Sequence, residues 1–198
     1  RSSIADYAWN MDAYKSDASW RRAVRYLMPG HAAALQVFAS HNSDLGGNEH
    51  DFRREESEQI RPALERLLDA YCREGKREVA AASAVTEECE RMIASADLLL
   101  ASDENPALIK EISPWLIQFK LLGEYGREVL CMLAAQCDGK KTELEKAASH
   151  AKALQVLMKK IDATYNQNGF QPGVKTGSCH LKPAFDRLYQ EVVQRTGK

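Results

Sequence analysis

Residues 142–165 read TELEKAASHAKALQVLMKKIDATY. Leu144, Ala147, Ala151, Leu154, Met158, Ile161 and Tyr165 follow one another at steps of three and four, so they share one face of a 3.6-residue helix. The intervening positions are rich in Lys and Glu, as a solvated face requires. Thr142-x-x-Glu145 has the spacing of a capping box, and Asp138-Gly139 ahead of it is a turn. A strict pattern over so few heptads suits the seam of an antiparallel bundle better than a free coiled coil. The neighbours of this segment are therefore expected to be helices of similar length.

Working back towards the start, Asn105-Pro106 is a cap followed by proline at the first helical position, and Ser113-Pro114 repeats the signal. The spacing predicts a short helix to Ile112, a break or kink, and a long helix to about Cys137. Its apolar stripe is Leu116, Phe119, Gly123, Gly126, Leu130 and Leu133. Two glycines inside a helix cost about 1 kcal/mol each relative to Ala. On the buried stripe they imply close approach of another helix. Before it, a helix from about Arg77 to Ala101 carries Val85, Cys89, Met92, Ala96 and Leu99, broadened by Ile93 and Leu100. An earlier one carries Ile60, Leu64, Leu67 and Tyr71, with Pro62 in its first turn and Gly75 at its end.

Further upstream, Ser16 or Asp17 caps a helix with Trp20, Val24 and Leu27 on one face, and Pro29-Gly30 ends it. A short helix with Leu35 and Phe38 stops near Asn42. After residue 165, Asn166 to His180 is a second long loop, and a last helix from about Lys182 carries Phe185, Leu188 and Val192. The sequence shows no strand pattern longer than four residues, no repeat and no low-complexity run. The fold class expected is all-α: an antiparallel bundle of about six to seven helices, three of them long and each spanning roughly 30–36 Å.

With 198 residues the chain is long enough for one sizeable core. Its 27 Lys and Arg balance 28 Asp and Glu, which argues against a nucleic-acid partner. No apolar run approaches the roughly 20 residues of a membrane span, and no charged n-region followed by an apolar h-region opens the sequence. Cys72, Cys89, Cys131, Cys137 and Cys179 are odd in number and contain no C-x-x-C pair, and several fall on apolar helical faces, so they read as small buried hydrophobes rather than disulfides or ligands.

Chemistry-bearing motifs are sparse. The sequence contains no H-E-x-x-H, G-x-S-x-G, Walker A or G-x-G-x-x-G. His41 and His50, in one loop with Asp44, Glu49 and Asp51, are the sole grouping able to meet at a cation; a solvated or interfacial loop explains them better. Arg53-Arg54-Glu55-Glu56 has the charges of an anion site, but alternating charge entering a helix suits a solvated face with weak local pairs. Trp9 and Trp115 offer stacking surfaces for a sugar, although a tryptophan near a helix start more often joins a core. No catalytic residue, metal ligand or cofactor site is expected within these residues.

Several stretches resemble, in order, the post-catalytic helical domain of bacterial family 84 glycoside hydrolases. They are Tyr7-Ala-Trp-Asn10 with Ser19-Trp20, His41-Asn-Ser-Asp-Leu-Gly46, and Arg53-Arg-Glu-Glu-Ser57. Further along come Ile112-Ser-Pro-Trp115 with Gln118-Phe-Lys120, Asn166-Gln-Asn168, and Gln171-Pro-Gly-Val-Lys-Thr176. The resemblance implies a parent β-N-acetylglucosaminidase that uses the substrate's acetamido oxygen as nucleophile, assisted by two adjacent aspartates on a (β/α)8 barrel. This sequence has no Asp-Asp pair, so those roles fall on no residue here. It implies residues 1–15 as a linker leaving the barrel and 16–198 as the bundle, with periplasmic or secreted placement of a bacterial parent. The partners implied are that barrel and a homodimer contact, with no cofactor, nucleic acid or membrane span. Candidate domain-interface residues are Tyr7, Trp9, Asn10, His41, Asn42, Asp44, Arg53, Arg54, Asn166, Gln167, Asn168, Gln171 and Lys175. A freestanding helical scaffold is the competing expectation.

Overall fold

The structure, a computed structural model, describes residues 16–41, 60–74, 82–138, 140–167 and 182–196. Among them are seven α-helices: α1 Ser16–Leu27, α2 Ala32–Ser40, α3 Ile60–Glu74, α4 Ala82–Leu100, α5 Pro106–Asp138, α6 Lys141–Gln167 and α7 Lys182–Thr196. A 3-10 turn, Pro29–His31, joins α1 to α2. No strand occurs among the described residues. No described helix is long and apolar enough to cross a membrane.

The expected break before Pro114 is absent. α5 is a single helix of 33 residues with Pro114 inside it, about 50 Å long at 1.5 Å per residue. Proline lacks the N–H that would bond the carbonyl four residues back, that of Lys110. The neighbouring Ser113 hydroxyl donates to that carbonyl at 3.3 Å instead. The start of α5 matches its sequence signal: Leu108 N–H donates to Asn105 Oδ1 at 3.2 Å, and Pro106 stands at the first helical position. The capping box expected at Thr142 is not the start of α6. Leu144 N–H bonds the Lys140 carbonyl at 2.9 Å and the helix begins at Lys141, so Thr142 lies within the first turn.

α5 is the axis of the bundle. Its neighbours are α4 on one side and α6 on another, with α3 also against it; α2 packs on α4, and α7 on α6 and α3. The stripe read from sequence is buried throughout. A second stripe of Leu122, Tyr125, Val129, Met132 and Gln136 is buried as well, roughly a third of a turn round the helix. A helix apolar on most of its circumference is one enclosed by others. On α4 the stripe Val85, Cys89, Met92, Ala96 and Leu99 is buried, and on α6 Ala147, Ala151, Leu154, Met158 and Ile161 are. The buried face of α3 is turned slightly from expectation, with Leu68 enclosed and Leu67 only partly so.

Gly123 and Gly126 are where α4 comes closest. A Cβ on Gly123 would stand 3.0 Å from the Cys89 carbonyl oxygen and 3.2 Å from Met92 Cβ. On Gly126 it would stand 2.5 Å from Cys89 Sγ and 3.4 Å from Leu64 Cδ1. The glycines therefore set the spacing of α5 from α4 and α3.

A second apolar cluster joins the first two helices to the rest: Val24, Met28, Ala34 and Leu35 pack with Leu99 and Leu116. Polar contacts close the same end. Asn105 Nδ2 donates to the carbonyl of Leu27, the last residue of α1, at 3.1 Å, so one side chain caps α5 and ties down α1.

Candidate functional site

Three histidine–carboxylate contacts are the places where described side chains of the kind used in catalysis meet. The first is at the α1–α2 turn. Gly30 N–H donates to Glu104 Oε1 at 2.8 Å, while Glu104 Oε2 lies 2.7 Å from His31 Nδ1. The Gly30 amide, and then the His31 ring, hold the Glu104 carboxyl below its usual range. Ser102 Oγ is 3.3 Å from the same His31 Nδ1 and accepts from Glu104 N–H at 3.2 Å. Serine, histidine and glutamate together suggest a nucleophile relay, but the geometry is wrong for one. A relay places the carboxylate on one ring nitrogen and the hydroxyl on the other, whereas here both meet Nδ1. A general acid needs its pKa raised, and Glu104 is shifted the opposite way. This cluster ties a turn to a helix cap.

The second contact involves His41, the residue that closes α2. Its ring is 1% exposed, its Nε2 is bonded to Glu88 Oε1 on α4, and Glu88 also pairs with Arg91. The His41 ring lies 5.6 Å from that of Phe119 on α5, and Phe38 meets Phe119 edge-on at 5.4 Å. His41 thus pins the end of α2 to both α4 and α5. The third contact, His150 Nδ1 to Glu128 Oε2 at 2.6 Å, clips α6 to α5. In each case the two partners bridge separate elements.

No group of three or more His, Cys, Asp or Glu residues among those described could hold a metal. Cys89 is fully buried and its thiol is pushed up to about 12 by desolvation; Cys72 is half-buried, with its thiol raised for the same reason. Cys131 and Cys137 are exposed, so the expectation of small buried hydrophobes holds for Cys89 and fails for these two. Trp115 packs against the main core, as expected of it, although it lies inside α5 and not at a helix start. Cys179, Trp9, and the His50, Asp44, Glu49 and Asp51 grouping lie outside the described residues, as does Arg53–Glu56.

Of the candidate interface residues, His41 is placed inside the bundle as above. Asn166 and Gln167 form the last turn of α6. Tyr7, Trp9, Asn10, Asn42, Asp44, Arg53, Arg54, Asn168, Gln171 and Lys175 lie outside the described residues. Glu88 and Glu104 drew no attention in the sequence. Each reads as an ordinary acid beside a helix, and its histidine is 47 or 73 residues away. Gln136 was equally silent; it is 1% exposed in the second stripe of α5, with no hydrogen-bond partner for its amide among the described residues.

The family model described as "Bacterial GH84, post-catalytic domain" matches residues 56–189. The chain belongs to this family. Its fold is also that of a solved structure titled "Structure of CpGH84B", with a TM-score of 0.68 over 93% of this chain at 19% sequence identity. The chain spans 30% of the length of that protein. The family match begins after α2, whereas the fold likeness extends over nearly the whole chain. Of the three histidine–carboxylate contacts, only His150–Glu128 lies wholly within the matched residues; His31 and His41 precede them.

Proposed function

We propose that this chain is the non-catalytic helical domain of a β-N-acetylglucosaminidase, following and supporting a catalytic barrel on the same polypeptide. The observation that carries this reading is the match of the post-catalytic family model over residues 56–189. Residues 1–15 then form the connector from the barrel and 16–198 the domain itself. Cleavage in such an enzyme uses the substrate's acetamido group as nucleophile, an exception to the ordinary two-carboxylate scheme. It needs one carboxyl to orient that group and another to protonate the leaving oxygen, both held in a pocket. Those groups belong to the barrel. The helical domain contributes rigid placement: α5 is gripped on several sides, and His41 fixes the point from which residues 42–59 set out. That segment, with Asn42, Asp44, Arg53 and Arg54, and the segment from Asn166 to Lys175 are the surfaces proposed to meet the barrel or its cleft, together with Tyr7, Trp9 and Asn10.

A chromogenic N-acetylglucosaminide assayed with the isolated chain and with the full-length protein tests both halves. Turnover by the full-length protein alone is expected. Turnover by the isolated chain would refute the assignment of catalysis elsewhere, and an inactive full-length protein would refute the glycosidase reading. Sedimentation of the isolated chain separates a barrel-supporting role from a dimer contact.

A further inference from the structure

We propose that the end of the bundle where α3, α5 and α7 finish is built to open as a unit while the rest of the fold stays closed. The Gln136 amide, near the end of α5, and the Tyr71 hydroxyl, on α3, are buried with no hydrogen-bond partner among the described residues. Gln136 is 1% exposed and Tyr71 5%. Both the donor and the acceptor atom of the Gln136 amide are unmet. The two side chains stand at the same end of the molecule. A Cβ on Gly126 would lie 3.4 Å from Leu64 of α3. Further along both helices, burial and then Glu191 of α7 push the Tyr71 hydroxyl up, Arg195 opposes them, and Cys137, the neighbour of Gln136, acts on it too. Midway along α5, burial and then Asp186 of α7 raise the Tyr125 hydroxyl. Hence α3, α5 and α7 run the same way and finish together.

A buried polar group left unpaired carries its full desolvation penalty, and exposure to water removes that penalty. In the closed bundle these atoms have next to no surface that water can reach, so opening is what satisfies them. The other end of α5 is built differently. Asn105 caps the helix and donates to the Leu27 carbonyl, while the Glu104 carboxylate accepts from Gly30 N–H and meets His31. Opening that end breaks bonds and relieves no unpaired group. Folded chains open in contiguous units of unequal free energy, and the unmet amide and hydroxyl lower it for the α3–α5–α7 end. The Tyr125 hydroxyl is unpartnered as well, but it lies midway along α5 and stays enclosed when the end alone opens.

Native-state hydrogen exchange in low urea tests this on the chain as it stands. The amides of Leu68 to Tyr71, Met132 to Gln136 and Leu188 to Val192 should share one opening and exchange several-fold faster than those of Leu116 to Gly123. Gln136→Met keeps the bulk and removes the amide, and Tyr71→Phe removes the hydroxyl. Each should slow the shared exchange about 5-fold or more, and by the same factor in all three helices. Tyr125→Phe should leave the ratio of exchange between the two ends of α5 unchanged. Slowing confined to the helix that carries the substitution would reduce the effect to fraying of one terminus and overturn the proposal. Exchange that neither Gln136→Met nor Tyr71→Phe alters would overturn it too. So would a crystal structure of the closed bundle in which the Gln136 amide is bonded to another protein group or to an ordered water.

Discussion

At Gly126 a single missing Cβ sets the distance between two helices. Alanine there has a better helix propensity by about 1 kcal/mol, yet its methyl would sit 2.5 Å from Cys89 Sγ. Overpacking of this kind typically costs about 1–3 kcal/mol and should win, so Gly126→Ala lowers stability in urea melts. Cys89→Ala in the same chain removes the clashing atom and should recover most of the loss. It should recover little of the loss from Gly123→Ala, where the obstacle includes the Cys89 backbone carbonyl. Equal rescue of both would show the contact is misassigned. Glu104 supplies a pH signature at the same scale. Its folded pKa is depressed, so its contribution is present above the unfolded carboxyl value of about 4 and is lost as pH falls through the lower folded value. Glu104→Gln should therefore be less stable than wild type at neutral pH, and the two should converge in acid. A gap that stays constant with pH would remove the carboxylate from the account. Thiol labelling adds a third check: Cys131 and Cys137 should react in the folded chain and Cys89 only on unfolding.

At the scale of the element, α5 shows how a helix continues through proline. The carbonyl of Lys110 loses the Pro114 donor and takes the Ser113 hydroxyl in its place. Pro114→Ala restores the backbone donor and should raise stability by about 1–3 kcal/mol. Ser113→Ala in the wild-type chain should cost about 0.5–1.5 kcal/mol, the net worth of one hydrogen bond. In the Pro114→Ala chain the same substitution should be close to neutral, since Lys110 then has its normal partner. Urea midpoints of the four chains decide this, and an unchanged Ser113 effect in both backgrounds would disprove the substitution of one donor for the other. The α5–α4 interface, by contrast, is built on apolar stripes, Val85 to Leu99 facing Leu116 to Leu133, with the Lys120–Asp97 and Arg127–Glu90 ion pairs beside them.

For the whole molecule, α1 and α2 precede the residues matched by the family model yet share a core with the rest. Leu99 and Leu116 are fully enclosed beside Val24, Met28, Ala34 and Leu35, and Phe119 is covered by Phe38 and His41. Deleting residues 1–41 should expose that surface, lower the melting temperature and induce binding of a hydrophobic dye. A deletion chain melting like the parent would place the true boundary of the folding unit near residue 56. Much of this architecture was legible beforehand: the helix count, the stripes on α4 and α6, the Asn105 cap and the glycine pair. The continuity of α5 and its two-sided burial were not, because a stripe counted along one helix does not tell how many neighbours surround it. The candidate interface was less accessible still, with His41 alone among its side chains placed here, inside the bundle.

The order of residues determined that this chain is helical and which faces of α4, α6 and α7 turn inward, because cap chemistry and the 3.6-residue period act over a few neighbouring positions. Tertiary structure alone decided which side chains meet. Gly30 and Glu104 are 74 residues apart, and His41 and Glu88 are 47. Nothing local marks such pairs; they exist because packing of apolar faces carries α2 onto α4, and the α4–α5 junction onto the first turn.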